Sequence, residues 1–313
     1  MNAPPPPEFA SSEEFRSRRG DARFWSPYVA AILDRHGLSG PGREPAGGHN
    51  PTNPTFVCGD VVVKLFGCGH WWRKGYQGEL AAQTLLATDP EIAAPRLLGT
   101  GRLYDSDDAP WPYLITNRLP GVTWQDARLS SEAQRAVAME VGRQVKRVHN
   151  LRPVGIATHA DWPAIDVAGA AARSSLPDHL AAQAEAYVAR LGPFDEVVVH
   201  GDIVAMHVFV DNGSFSGFID WGDAMVTDRH YELIQIQRDL FGCDKRLLAA
   251  FLEASEWPVD SDFPFKAMAH ALYRQAIGLT QHYSIDVFEP VAEKYSLDDI
   301  VTLDELAIEL FAV

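Results

Sequence analysis

Two aspartates stand 18 positions apart in the stretch VVHGDIVAMHVFVDNGSFSGFIDWGD, residues 198–223, each just after an apolar run. Carboxylates at strand ends face a cleft, and a pair of them, Asp202 and Asp220, suits a divalent metal ion together with a proton acceptor. Taken singly, each reads as a turn residue capping nearby N–H groups. That reading leaves Lys64 unexplained. Lys64 interrupts the apolar run VVVKLFG, where an ammonium either points to solvent from an edge strand or pairs with a buried opposite charge. Glu79, 15 residues further on at the start of a helical pattern, is a suitable partner. Lysine, glutamate and two aspartates in that order form the layout of kinase-like phosphoryl transfer: lysine on the nucleotide phosphates, glutamate holding it, one aspartate as base and the other on metal.

Other motifs carry less. GSFSG, 213–217, puts Phe215 where a nucleophile elbow needs serine. GCG at 67–69 and GTG at 99–101 lack the third glycine of a dinucleotide fingerprint. His200, His207 and His230, spaced by 7 and 23, match no zinc motif and read as structural histidines.

The elements that must position these groups follow from pattern. Residues 1–23, rich in Pro, Ser and Arg, read as a poorly ordered lead-in. FWSPYVAAILDRHGL, 24–38, has helical spacing and stops at Gly37. TFVCGDVVVKLFG is a hairpin turning at Gly59-Asp60, GELAAQTLLATD a helix, and PRLLGTGRLY and WPYLITNRLPG further strands. Beyond Gly121 helices dominate. SSEAQRAVAMEVGRQVKRVHNL places Val137, Val141, Val145 and Val148 on one face behind a Ser-Ser-Glu cap signal. Further helices are predicted over 178–191, 263–282 and 297–311, with VVVH, HVFV and FSGFID as short strands between them. The expected organisation is α+β: a sheet-rich lobe over 24–117 and a mostly helical lobe over 118–313.

A chain of 313 residues with 46% apolar composition can bury two cores. Its 27 basic and 42 acidic residues leave a formal charge of −15, which argues against nucleic acid as a partner and favours a small cationic one. Cys58, Cys68 and Cys243 form neither a disulfide framework nor a zinc set. No segment approaches ~18 uninterrupted apolar residues. A cytoplasmic protein without membrane contact, monomeric or weakly dimeric, is expected.

The run HGD, then strand residues, then IDW resembles the aminoglycoside phosphotransferases and their kinase-like relatives, whose pattern is H-G-D, four residues, Asn, then I-D-[WF]. The resemblance extends through TNPTFV, VVVKLFG, APRLLGTGRL, WPYLITNRLPGVTW and DRHYELIQ, from Phe24 to about Trp257. Within the family these stretches look most similar to the enzymes acting on the 7''-hydroxyl of hygromycin B. The resemblance implies a protein-kinase-like two-lobe fold and phosphoryl transfer from ATP, with GTP as the alternative, in the presence of magnesium or manganese. Asp202 would accept the proton of the attacking hydroxyl and Asp220 would ligate the metal. Lys64, oriented by Glu79, would hold the α- and β-phosphates. The loop GGHNPTNP with Asn53 would lie over the nucleotide, and Asn117 to Leu119 would be the interlobe hinge whose backbone meets adenine. Asp228 and Glu232 match the acidic pair of the family's G-D-P-x-x-D-L run, with Arg229 in place of proline. Asp223, Glu232 and Asp239 are candidates to meet the ammonium groups of the substrate.

The departure is His207, which stands where the family carries the asparagine that helps bind a second metal. Magnesium prefers oxygen to imidazole. A histidine could still reach metal through one nitrogen or water, or could hydrogen-bond Asp202. The consequence is a kinase with altered metal preference, a kinase with one principal metal, or a nucleotide-binding sensor of little turnover. A kinase for a neutral sugar or amino alcohol carries the same motifs.

Overall fold

The structure, a computed structural model, describes residues 3–48, 52–68, 72–159, 165–280 and 286–313. The chain divides into two compact units, one formed by Met1–Thr88 with Ala94–Leu119 and the other by Asp89–Ala93 with Pro120–Val313.

The first unit begins with helices α1 (Ser12–Arg18) and α2 (Ala22–Arg35). Strands β1 (Ala46–Gly47), β2 (Thr55–Cys58) and β3 (Val61–Leu65) precede helix α3 (Trp72–Leu86), and β4 (Leu97–Arg102) and β5 (Pro112–Asn117) follow it. The five strands make one antiparallel sheet in the order β1-β2-β3-β5-β4. The hairpin between β2 and β3 turns through Gly59, whose φ of +67° is open to glycine without Cβ strain. Along β3 the alternation is strict: Val61, Val63 and Leu65 are buried, whereas Val62 and Lys64 take the other face. The buried side packs on Trp25, Val29 and Ile32 of α2.

Helix α1 falls where a poorly ordered lead-in was expected. Ser11 caps it through the Glu14 N–H, Phe9 and Phe15 pack edge to face at 5.3 Å, and Phe9 lies 6.2 Å from Trp25. The average composition of the segment hid two aromatics large enough to anchor it.

The second unit contains β6 (Val122–Thr123), α4 (Ser131–His149), β7 (Ala157–Thr158), three short helices α5 (Val167–Ala171), α6 (Asp178–Ala181) and α7 (Ala184–Val188), then β8 (Glu196–Val199), β9 (Val208–Asp211), β10 (Ser214–Phe218) and β11 (Met225–Asp228). Helix α8 (Leu233–Gln235) runs directly into a π-turn over Ile236–Leu240. Helices α9 (Lys245–Ser255), α10 (Phe263–Thr280), α11 (Glu289–Ala292) and α12 (Leu303–Phe311) complete the unit. Two small sheets, β10-β9-β6 and β7-β11-β8, are set among these helices. Val137, Val141, Val145 and Val148 are all buried along α4, as their spacing predicts. Helix α9 packs so closely on α4 that a Cβ on Gly142 would meet the Phe251 carbonyl at 2.5 Å. The helix predicted over 178–191 is instead two short pieces, and the Gln183 amide between them bonds the carbonyl of Val301 and the N–H of Leu303. Among the described residues no helix is long and apolar enough to cross a membrane, and Cys58 and Cys243 are buried free thiols.

Candidate active site

In the first unit the face of β3 opposite the core carries Lys64, and α3 carries Glu79 to it: Nζ and Oε2 are 2.6 Å apart, with both side chains largely buried. Helix α3 begins at Trp72, so Glu79 lies two turns inside the helix rather than at its start. Lys64 Nζ also lies 5.6 Å from the centroid of the Phe66 ring. Asn53 is half-buried, with its carbonyl accepting from Thr55 Oγ1 at 2.9 Å, and residues 49–51 of that loop lie outside the described residues. Asn117 spends its side chain locally, accepting from the Arg96 N–H at 2.6 Å and donating to the Arg118 carbonyl at 3.2 Å. Leu119 is buried.

In the second unit β8 ends at Val199 and delivers His200, Gly201 and Asp202. Gly201 has φ +83°, and a Cβ there would meet the Asp223 carbonyl at 2.3 Å, so the loop closes only on glycine. His200 is buried and ties the two aspartates' segments together. Its Nε2 donates to the Ile219 carbonyl at 3.0 Å, and its Nδ1 accepts the Asp202 N–H at 3.2 Å. Burial pushes the His200 pKa below its ordinary value, which keeps the ring in the neutral form this pattern requires. Asp220 follows at φ +62°, ψ +67°, a left-handed backbone uncommon outside glycine but tolerated by aspartate.

Around Asp202 the hydrogen bonds converge. Oδ1 accepts from Gln235 Nε2 at 2.5 Å and from Arg274 Nη2 at 3.2 Å. His207 Nδ1 donates to the Asp202 carbonyl at 2.9 Å and lies 3.2 Å from Oδ2, while Nε2 lies 3.6 Å from Asp220 Oδ2. Burial works against charge on both groups and is outweighed on both. The His207 hydrogen bond, with Arg274 and Gln235, holds the Asp202 carboxyl well below the usual range, and the two aspartates push His207 up to about 9. The two flanking carboxylates favour the protonated ring, with a hydrogen on each nitrogen. The ring lies between two carboxylates, 3.2 Å from Asp202 Oδ2 and 3.6 Å from Asp220 Oδ2.

Asp220 offers carboxylate oxygen from a side chain 41% exposed, the donor that magnesium and manganese favour. Among the described residues no three His, Cys, Asp or Glu side chains gather as a metal cage.

Three residues of the run 232–239 hold the catalytic loop. Glu232 Oε1 accepts from the His200 N–H at 2.5 Å and the Gly201 N–H at 3.2 Å, and its Oε2 lies 3.2 Å from His149 Nε2. Gln235 reaches Asp202, and Asp239 Oδ1 accepts the Ala205 N–H at 2.6 Å. Spacings of three and four put the three on one helical face. Glu232, 1% exposed, cannot meet a substrate ammonium. Two buried N–H groups need its carboxylate, so its assignment to substrate is corrected to one of support. Asp239 and Asp223 remain exposed. Asp228 is also internal, accepting from the N–H groups of Asp195 and His230 and from His230 Nδ1. Gln235, Arg274 and its partner Tyr231 were not anticipated. The one sequence signal for them is a set of polar residues inside otherwise apolar helices.

A family model described as the phosphotransferase enzyme family matches residues 48–265. Solved structures similar to this chain include an aminoglycoside phosphotransferase in complex with GDP and kanamycin, at 16% identity and TM-score 0.62, covering 87% of this chain and 97% of that one. A thermostable mutant of an aminoglycoside phosphotransferase in ternary complex with ADP and hygromycin B is 19% identical at TM-score 0.58, covering 88% and 97%. The macrolide 2'-phosphotransferase of Brachybacterium faecium is 17% identical at TM-score 0.55, covering 92% and 98%.

Proposed function

Because the chain belongs to the phosphotransferase enzyme family, we propose that it transfers the γ-phosphoryl group of ATP or GTP to a hydroxyl of an aminoglycoside, with hygromycin B the first member to test. The observation that carries this reading is Asp202, an ionised carboxylate with one oxygen fixed by two donors and its side chain still 22% exposed. The acceptor hydroxyl gives its proton to Asp202 as its oxygen bonds to phosphorus. The bond from the γ-phosphorus to the bridging oxygen breaks, leaving the nucleoside diphosphate. A carboxylate this acidic is a weak base, but in a loose transition state orienting the hydroxyl matters more than early proton removal. Lys64, held by Glu79, takes the nucleotide phosphates, and Asp220 would hold magnesium or manganese. The ion, when bound, neutralises charge on the phosphates. His207 stands between the carboxylates of Asp202 and Asp220.

Hygromycin B is favoured by the sequence resemblance, and the −15 charge favours a polycation in general. One observation favours a second reading, a kinase for a neutral sugar or amino alcohol. Glu232 is wholly internal and one oxygen of Asp239 is committed to Ala205, which leaves fewer carboxylates to meet ammonium groups.

The test is mass spectrometry of hygromycin B, kanamycin, a macrolide and a set of sugars and amino alcohols after incubation with the protein, ATP or GTP, and magnesium or manganese. An aminoglycoside heavier by one phosphoryl group is the expected product. Phosphorylated sugars or amino alcohols alone would establish the second reading. Nucleotide binding with no phosphorylated product would identify a sensor and contradict both.

A further inference from the structure

Arg274 lies on α10, 72 residues from Asp202 in sequence, and belongs to none of the motifs that mark the site. It is 9% exposed, and a guanidinium so buried needs an anionic partner and a full set of acceptors. Its two terminal nitrogens divide the work. Nη1 donates to the Tyr231 hydroxyl at 2.6 Å, and Nη2 donates to Asp202 Oδ1 at 3.2 Å. Tyr231, which receives the first of these bonds, is itself fully buried, so its hydroxyl is a fixed acceptor for the guanidinium. Gln235, 2% exposed, brings Nε2 to the same Oδ1 at 2.5 Å, while its Oε1 is buried with no hydrogen-bond partner among the described residues. A buried amide that leaves its oxygen unsatisfied costs stability. The geometry of its other end therefore points to a function beyond packing.

A carboxylate oxygen accepts about two strong hydrogen bonds. Oδ1 of Asp202 already has two charged or polar donors, whereas among the described residues Oδ2 has the His207 ring nitrogen near it. We propose that Arg274 and Gln235 are positioning residues that saturate Oδ1 and lock the Asp202 rotamer, so that Oδ2 alone is presented to the acceptor hydroxyl. This rests on the reading of Asp202 as the proton acceptor. It assigns to α10 and α8 a direct hold on the reacting carboxylate, separate from the support that Glu232 and Asp239 give to the loop backbone.

The experiment compares wild-type protein with Gln235→Met, Gln235→Glu, Arg274→Lys and Asp202→Asn, all as the full chain. Initial rates, nucleotide KM and thermal midpoints are measured for transfer from ATP or GTP to hygromycin B and kanamycin, with release of phosphate to water as the reaction followed where neither is modified. Gln235→Met keeps the volume and deletes both the orphaned oxygen and the donor. Its thermal midpoint should hold or rise while kcat falls by about tenfold to a hundredfold at unchanged nucleotide KM, the cost of a loosened catalytic group. Arg274→Lys should lower kcat by a similar factor, because an ammonium cannot span Tyr231 and Asp202 together. Gln235→Glu sets a second carboxylate beside Oδ1 and should move the acidic limb of the kcat profile to higher pH, which loss of fold would not do. The proposal is overturned if Gln235→Met and Arg274→Lys keep kcat within about twofold of wild type, a change too small for a misplaced base. It is equally overturned if kcat falls only in step with the thermal midpoint. Undiminished transfer by Asp202→Asn would instead sink the reading of Asp202 itself.

Discussion

The two units hold their charged residues in opposite ways. In the first, Lys64 meets Glu79, carried by a strand and a helix close in sequence. In the second, Asp202 is held by Gln235, Arg274 and His207, and the loop that carries it by Glu232 and Asp239, with partners up to 72 residues away. The difference matches the tasks proposed for them. A lysine that grips phosphates needs charge in roughly the right place, whereas a base that must face one hydroxyl needs a fixed rotamer. Affinity for nucleotide and rate of transfer should therefore be separable by mutation.

The largest effect on this comparison comes from the loop support. Glu232→Ala strands two buried backbone N–H groups and should cost about 2–4 kcal/mol of stability in the second unit, read as a fall in denaturant midpoint, with turnover lost alongside. Next comes the ion pair of the first unit. Lys64→Met should raise nucleotide KM by about tenfold or more while leaving the second unit intact, because charge on the phosphates is lost without disturbing Asp202. An unchanged KM, measured by initial rates, would break the division of labour.

A smaller effect distinguishes the units by pH. Burial pushes His270 down to about 4 although Asp228 lies 3.5 Å away, and the hydrogen bonds of His230 outweigh burial to hold Asp228 below the usual carboxylate range. The unfolded chain binds a proton at His270 near its ordinary 6.5 while the folded chain does not, so stability falls as pH drops from about 6.5 towards 4. Asp228 contributes stability above its ordinary carboxyl range, near 3.8, and loses it as pH falls further. Urea midpoints should decline over the first window in wild type and decline less steeply in His270→Phe, with His200, whose pKa is also lowered by burial, accounting for the remaining slope. The smallest effect is expected at His207. Its ring bonds the Asp202 carbonyl and bridges two carboxylates. Asparagine keeps a donor and adds an oxygen suited to magnesium, so His207→Asn should preserve or raise the magnesium-dependent rate. A loss of turnover, with the fold intact by circular dichroism, would show that the imidazolium charge itself is needed.

How much of this could be read from the sequence follows the same contrast. The β2–β3 hairpin, the alternation that sets Lys64 apart from the core, and the valine stripe of α4 are local patterns, and local patterns survive in a linear string. Asp202 and Asp220 were legible because turn glycine, aspartate and apolar runs sit next to one another. Gln235 and Arg274 were not. They lie on helices packed on nearly every side, where periodicity gives no face, and their partners are set by tertiary packing alone. His270 and Arg274, four apart in an apolar helix, are the available hint, since buried polar side chains at that spacing share a face and each needs a polar partner. Helix α1 is hidden by a composition that outweighs Phe9 and Phe15, and helix α9 shows in sequence only as KRLLAAFLEAS behind its Asp244 cap. Glu232 was misassigned because an acidic residue in sequence does not show whether its carboxylate faces solvent or two backbone N–H groups.

The most direct test of the central claim is to incubate wild-type protein and Asp202→Asn with ATP or GTP, magnesium and hygromycin B, and to measure nucleotide affinity by calorimetry and phosphorylated product by mass spectrometry in the same samples. The account predicts product from wild type, none from Asp202→Asn, and nearly equal nucleotide affinity in the two. Equal product from both proteins, or nucleotide binding lost in Asp202→Asn with the fold intact, would contradict it.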